Sequence, residues 1–177
     1  MGNSSVSVSS LNIDFKRPTY SNAKILHKCN GYTGTQKEIL ALYYRFMNIQ
    51  QGKTLEIKEG LLNLLFRNTN LRGFEMEISN LFGTQKKINV MELLAVVTVY
   101  SSLRWEVKVK LGVYMFDFDG DKCLSKDELT VLVSSFFEGL SKVTENPSLD
   151  QFTLRSISKT IIKAAAPAQP KKVQSNE

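Results

Sequence analysis

Beyond residue 35, apolar side chains recur three and four positions apart in seven successive stretches. That spacing lines one face of an α-helix, and it predicts helices over 36–47, 57–66, 72–81, 90–101, 103–116, 126–142 and 149–165. Local signals mark several of the starts. Thr35 and Glu38 form a capping box ahead of the first helix, Ser125 and Glu128 another, and Ser148 and Gln151 a third behind Pro147. Residues 1–34 are rich in Ser and Asn with weak periodicity and are expected to form a flexible N-terminal segment. Residues 166–177, with Pro167, Pro170, Lys171 and Lys172, are expected to be a disordered tail. The expected fold class is all-α.

The helical pattern breaks at Asp117-Phe118-Asp119-Gly120-Asp121-Lys122-Cys123-Leu124-Ser125-Lys126-Asp127-Glu128. Three aspartates at alternate positions and a glutamate at the twelfth have the ligand spacing of a calcium loop. Such a cluster suits a hard cation, because neighbouring carboxylates repel one another unless a metal neutralises them. The candidate metal ligands are Asp117, Asp119, Asp121, the carbonyl of Cys123, Ser125 and Glu128, and the expected ion is Ca2+. Glycine usually occupies the sixth position, where the backbone turns sharply. Here Lys122 stands there, which adds strain of roughly 1–2 kcal/mol and a positive charge beside the metal. A simpler reading treats the stretch as a surface turn capped by Ser125 and Glu128. That reading accounts for neither the alternating aspartates nor the apolar helices on both sides.

The loop also serves as a ruler for weaker copies. Phe116, Val113 and Val109 lie one, four and eight residues before it, and the same offsets recur at Met47, Tyr44 and Leu40. A loop from Asn48 to Glu59 follows, with Leu55 at the eighth position and too few acidic groups to hold an ion. A third set falls at Leu81, Ile78 and Phe74, followed by a loop one residue short that contains Lys86, Lys87 and Glu92. Leu55 and Ile88 are expected to face each other in a short strand pairing between these two loops. Ile157, Ile161 and Ala164 repeat the offsets once more, with no oxygen-rich loop after them. The chain therefore reads as three helix-loop-helix motifs plus a half motif. Residues 35–101 form a degenerate pair, and 102–165 form the intact motif with the half motif.

With these repeats in view, residues 36–165 resemble the four-motif EF-hand proteins, particularly calcineurin B-like and neuronal-calcium-sensor-like members. The resemblance rests most on Val107 to Leu129 and on Ser158-Lys159-Thr160-Ile161-Ile162, which is similar to a fourth entering helix of calcineurin B-type chains. The chain departs from that family in two motifs without ligands, a fourth without loop or exit helix, and a reversed net charge. The resemblance implies paired EF-hands with short loop-loop β pairing, one calcium site and a regulatory role on a target protein. Met1-Gly2-Asn3-Ser4-Ser5 also resembles the family's myristoylated N-termini. Acylation at Gly2 would allow membrane association, although Val6 stands where Ser or Thr is usual. A single acyl chain binds membranes marginally and needs a basic patch or a second lipid; Lys16, Arg17, Lys24 and Lys28, or Cys29, are the candidates.

Composition narrows the function classes. The 177 residues are 42% hydrophobic, enough to bury a core, and contain no apolar run long enough to cross a membrane. A cytoplasmic protein is expected, with Cys29 and Cys123 as free thiols. The formal charge of +6 favours acidic partners, while the scattered lysines match no nucleic-acid module, so none is expected. His27 has no partner at a readable spacing, and no nucleophile–base arrangement or phosphate-cradling loop is present, which argues against an enzyme. Trp105 and the Phe136–Phe137 pair are expected to pack mainly in the core. Two roles remain open. One is a calcium-binding regulatory or adaptor subunit that engages a target protein through its C-terminal half, by an apolar face of Val113, Leu132, Phe136 and Leu140. The other is a structural component of a large assembly such as a ciliary microtubule scaffold, where acidic tubulin would suit a basic chain.

Overall fold

Seven helices and a small sheet account for most of residues 35–50, 54–144 and 146–165, which the computed structural model describes. The expectations for Gly2, His27, Cys29 and both terminal segments lie outside these residues. The elements are α1 (Gln36–Gln50), β1 (Glu56–Lys58), α2 (Leu62–Leu65), α3 (Glu75–Phe82), β2 (Gly83–Thr84), β3 (Lys87–Asn89), α4 (Val90–Tyr100), α5 (Trp105–Phe116), α6 (Lys126–Thr144) and α7 (Gln151–Ala165). A 3-10 turn over Glu59–Leu61 leads into α2. The described chain is thus mostly helical with one three-stranded antiparallel sheet, in the order β1-β3-β2.

Local sequence explains most of the helix boundaries. Thr35 donates its backbone N–H to Glu38 at 2.7 Å, closing the carboxylate half of the expected capping box. α7 starts differently from expectation. Its cap is Asp150, which accepts from the Thr153 N–H at 2.9 Å, whereas Ser148 hydrogen-bonds Glu138 of α6. α4 is capped by Asn89, whose side chain accepts from the N–H groups of Met91 and Glu92. The expected helix 57–66 is largely replaced: Ile57 and Lys58 join β1, Gly60 falls in the 3-10 turn, and one helical turn follows.

The strand pairing is also displaced from expectation. Ile57, not Leu55, lies opposite Ile88, and the Leu55 carbonyl accepts from Val90 N at 2.9 Å. α1 runs on through Gln50, so Asn48 is helical and does not begin a loop. β2 and β3 join through a two-residue turn in which Gln85 and Lys86 both take positive φ, 52° and 62°, as a tight right-twisted hairpin requires.

α4 sits at the centre. Every residue from Val90 to Thr98 is buried, as expected of a helix that is apolar all round. Around it the core gathers Phe46 of α1, Phe66, Phe82, Ile57 and Ile88 of the first half with Leu111, Met115 and Phe116 of α5 and Val143 of α6. One continuous core therefore crosses the boundary expected near residue 101. α6 crosses α4 closely at Gly139, where an added Cβ would lie 2.7 Å from the Glu92 carbonyl oxygen and 2.8 Å from Val96. Beside that crossing Lys142 Nζ meets the Glu92 carboxylate at 2.5 Å, with Asn89 holding the other Glu92 oxygen at 3.0 Å. A second, smaller cluster of Leu129, Val133 and Leu154 fixes α7 on α6.

Trp105 is a correction: it heads α5 with 70% of its surface exposed, outside the core. Phe136 and Phe137 are half-buried and meet edge-on at 5.2 Å, one against each cluster. Of the repeated stripe one, four and eight residues before each loop, Phe116 is buried, while the other members in α1 and α5 lie off the most buried face. The core takes Ile39, Leu42, Tyr43 and Phe46, leaving Tyr44 48% exposed, and takes Leu111 and Met115, leaving Val109 56% exposed.

Candidate metal centre

The acidic stretch joins α5 to α6 as the sequence suggests. α5 stops at Asp117, whose N–H still bonds the Val113 carbonyl at 3.0 Å while its own backbone leaves the helical region. The next turns are made by carboxylates accepting from the backbone. Asp117 takes the N–H of Gly120 at 2.8 Å and of Lys122 at 2.9 Å; Asp119 takes that of Asp121 at 3.2 Å; Asp121 takes that of Cys123 at 2.7 Å. Short polar side chains that fold back on nearby N–H groups favour such turns. Two residues adopt left-handed backbone: Gly120 at φ 77° and Lys122 at φ 69°. The second is the sixth position, where the sequence places strain on a residue with a Cβ.

Glu128 returns from the first turn of α6 to close the loop. One oxygen accepts from Ser125 N at 2.8 Å and the other from Phe118 N at 2.7 Å, while Ser125 Oγ accepts from Glu128 N at 3.2 Å. The capping box and the acidic cluster are therefore the same structure, with Glu128 belonging to both. Glu128 is buried, and its carboxyl is held below the ordinary glutamate range by the Ser125 backbone and hydroxyl bonds and by the Phe118 N–H, against partial desolvation. Asp119 moves the other way. The bond from Asp121 N lowers its carboxyl, but desolvation, repulsion from Asp121 and Glu128 and a hydrogen bond with Asp117 together raise it.

Among the described residues, oxygens of Asp117, Asp119 and Glu128 all lie within 4.8 Å of one another. Calcium–oxygen bonds of 2.3–2.6 Å put ligands on opposite sides of an ion about 4.6–5.2 Å apart, so this group fits one coordination sphere. Desolvation is the larger influence raising the Asp119 carboxyl, and repulsion from Asp121 and Glu128 adds to it; a cation held by this group would relieve the repulsion. The sequence-predicted set divides accordingly. Oxygens of Asp117, Asp119 and Glu128 converge; Asp121 accepts the Cys123 N–H as Asp117 and Glu128 accept others, Ser125 Oγ accepts the Glu128 N–H, and the Cys123 thiol, which the expected carbonyl ligation leaves free, is exposed.

Sequence reasoning missed the Phe118 N–H as the donor that positions Glu128, and no signal in the sequence marks it. It also missed the Asn89–Glu92–Lys142 network. There the Asn-x-x-Glu spacing was a readable helix start, while the lysine lies 50 residues away. No protein-family model matches the chain, and no curated protein matches it.

Proposed function

We propose that this protein binds a single calcium ion in the loop from Asp117 to Glu128 and acts as a regulatory or adaptor subunit of EF-hand type on a target protein. The carrying observation is the convergence of Asp117, Asp119 and Glu128 oxygens within 4.8 Å in a loop whose sixth residue is left-handed. The antiparallel pairing of β1 with β3 supports a paired arrangement of the two preceding motifs, with Ile57 and Ile88 as the facing residues. Those motifs are read as structural, because the chain between α1 and α2 and between α3 and α4 offers no comparable carboxylate group among the described residues. The role is binding, not catalysis.

A second reading rests on the engagement of both Glu128 oxygens by backbone N–H groups. The loop holds its shape through these bonds, which suits a structural protein in which calcium is dispensable. A large assembly with an acidic surface, such as a ciliary microtubule scaffold, would then be the setting, and the +6 charge favours it.

Calorimetry with Ca2+ on the full chain tests the metal site. One ion per chain is expected, and Glu128→Gln should weaken binding by about ten-fold or more, since the twelfth residue supplies two oxygens. Two or more strong sites, or an affinity unchanged in Glu128→Gln, would overturn the assignment. A chain that binds no calcium yet keeps its helical circular dichroism would favour the structural reading.

A further inference from the structure

The second degenerate loop, from Phe82 to Glu92, holds one acidic residue, Glu92 at its eleventh position. The stretch folds as a hairpin leading into α4, and Glu92 is buried in the first turn of that helix. Burying a carboxylate is costly unless it is paired. The loop has two cations of its own and uses neither for this purpose. Lys87 pairs with Glu56 at 3.3 Å, both side chains well exposed, and Lys86 is an exposed residue at the left-handed tip of the hairpin.

The counter-charge comes from α6, 50 residues away in sequence. Lys142 Nζ lies 2.5 Å from Glu92 Oε2 and 3.5 Å from the Phe82 carbonyl oxygen, so one ammonium touches both ends of the loop. It also stands 5.8 Å from the centroid of the Phe82 ring, which adds a cation–π attraction. The lysine reaches this place because α6 passes so close. Gly139, three residues earlier and on the same face, has no room for a Cβ against Glu92 and Val96. Glu138, the nearest acid on α6 itself, accepts from the Ser148 hydroxyl. Among the described residues, Glu92 is the one carboxylate that pairs with Lys142.

We propose that Phe82 and Glu92 form a site for a primary ammonium group, and that Lys142 is its built-in ligand, closing the 82–92 loop in place of an ion. The cradle offers one carboxylate oxygen, one backbone carbonyl and an aromatic ring, with Asn89 holding the other Glu92 oxygen at 3.0 Å. That set suits an ammonium, which brings three N–H donors and a positive charge for the ring. Calcium demands about six to eight oxygens, far more than this place supplies. The assignment concerns the first pair of motifs and stands apart from the ion at 117–128.

The test empties the cradle and refills it. Lys142→Ala in the full chain removes the ammonium and its stem, and the urea midpoint should fall. Propylammonium chloride supplies the fragment that the truncation removes. It should raise the midpoint of Lys142→Ala relative to its effect on the wild type, whereas tetramethylammonium, which has no N–H to donate, should not. At ten times its dissociation constant, propylammonium lowers the unfolding constant about ten-fold. Lys142→Met fills the space without charge and should not respond, nor should Lys142→Ala combined with Glu92→Gln. The same midpoint for Lys142→Ala in the two salts overturns the proposal. An equal response in Lys142→Met or in the double variant marks a general salt effect and overturns it as well. If calorimetry with Ca2+ shows that Lys142→Ala gains an ion over the wild type, the cradle is a metal site masked by the lysine, and the proposal fails. If Lys142→Ala folds in neither salt, the wild type decides by NMR of the lysine Nζ groups. The Lys142 ammonium protons should exchange with water about ten-fold more slowly than those of exposed Lys159, and Glu92→Gln should remove the difference. Equal exchange at the two lysines overturns the proposal.

Discussion

The two halves of the molecule hold their loops by different means. In the first, β1 and β3 pair through their backbones, and Ile57 and Ile88 meet in the core with about 1% and 0% of their surface exposed. In the second, the loop between α5 and α6 has no strand partner among the described residues. Its shape comes from carboxylates that accept backbone N–H groups within the loop. Leu124, at the eighth position of that loop, is only half-buried and packs between the two apolar clusters. Among the described residues, the half with a complete backbone pairing has no carboxylate cluster, while the half with the cluster borders an apolar groove over α4. Backbone pairing and the carboxylate cluster are thus divided between the halves, although α4 and α6 tie them into one core.

The comparison is broken most strongly from the first half. Ile88→Ala should cost about 2–5 kcal/mol in urea unfolding, since it empties a fully buried site in the strand pairing. Leu124→Ala, at the corresponding place in the second half, should cost about 1 kcal/mol because the side chain is already partly solvated. Equal losses would show that both loops are braced alike.

Next in size is the tie between the halves. Lys142→Met leaves the Glu92 carboxylate with Asn89 as its remaining side-chain partner, at 12% side-chain exposure. The expected loss is about 1–3 kcal/mol, scaled down from a fully buried pair because Lys142 keeps some solvent contact. Adding Glu92→Gln to that variant should recover part of the loss, and a double-mutant cycle by chemical denaturation measures it.

A smaller effect of opposite sign is expected at Lys122. Its φ of 69° disfavours a residue with a Cβ, so Lys122→Gly should stabilise the loop by about 1 kcal/mol. The substitution should also tighten calcium by removing a nearby positive charge. Weaker calcium binding in this variant, by calorimetry, would show that the lysine assists the loop.

The smallest effect lies at the start of α7. Hydrogen bonds from the Thr153 hydroxyl and N–H hold the Asp150 carboxyl below the usual aspartate range, against slight desolvation. A depressed folded-state pKa stabilises the fold above the ordinary value of about 3.9. That contribution disappears as pH falls through the lower, folded-state value. Amide exchange in α7 should therefore quicken on acidification through this window, and Asp150→Asn should remove the pH dependence while keeping a weaker cap.

By itself the sequence determined the features that depend on neighbours along the chain. Helical periodicity located six of the seven expected helices to within a few residues, and alternating aspartates with Glu128 located the carboxylate cluster. The Ser125–Glu128 box was equally readable, because a cap and its partner stand three residues apart. Tertiary structure alone decided what depends on distant partners. Leu55 and Ile57 stand two apart and so share a strand face, and either could meet Ile88 without turning a side chain outward. Contact with the rest of the core selected Ile57, and with it replaced most of the helix expected over 57–66. Trp105 lies outside the core for a similar reason: its helix buries the face of Leu111, Met115 and Phe116. The apolar groove likewise exists only because α5, α6 and α7 meet over α4. Its lining comes from residues as far apart as Ala95 and Ile162. Short-range geometry is written in the local pattern, whereas the choice among equally apolar partners is made by packing.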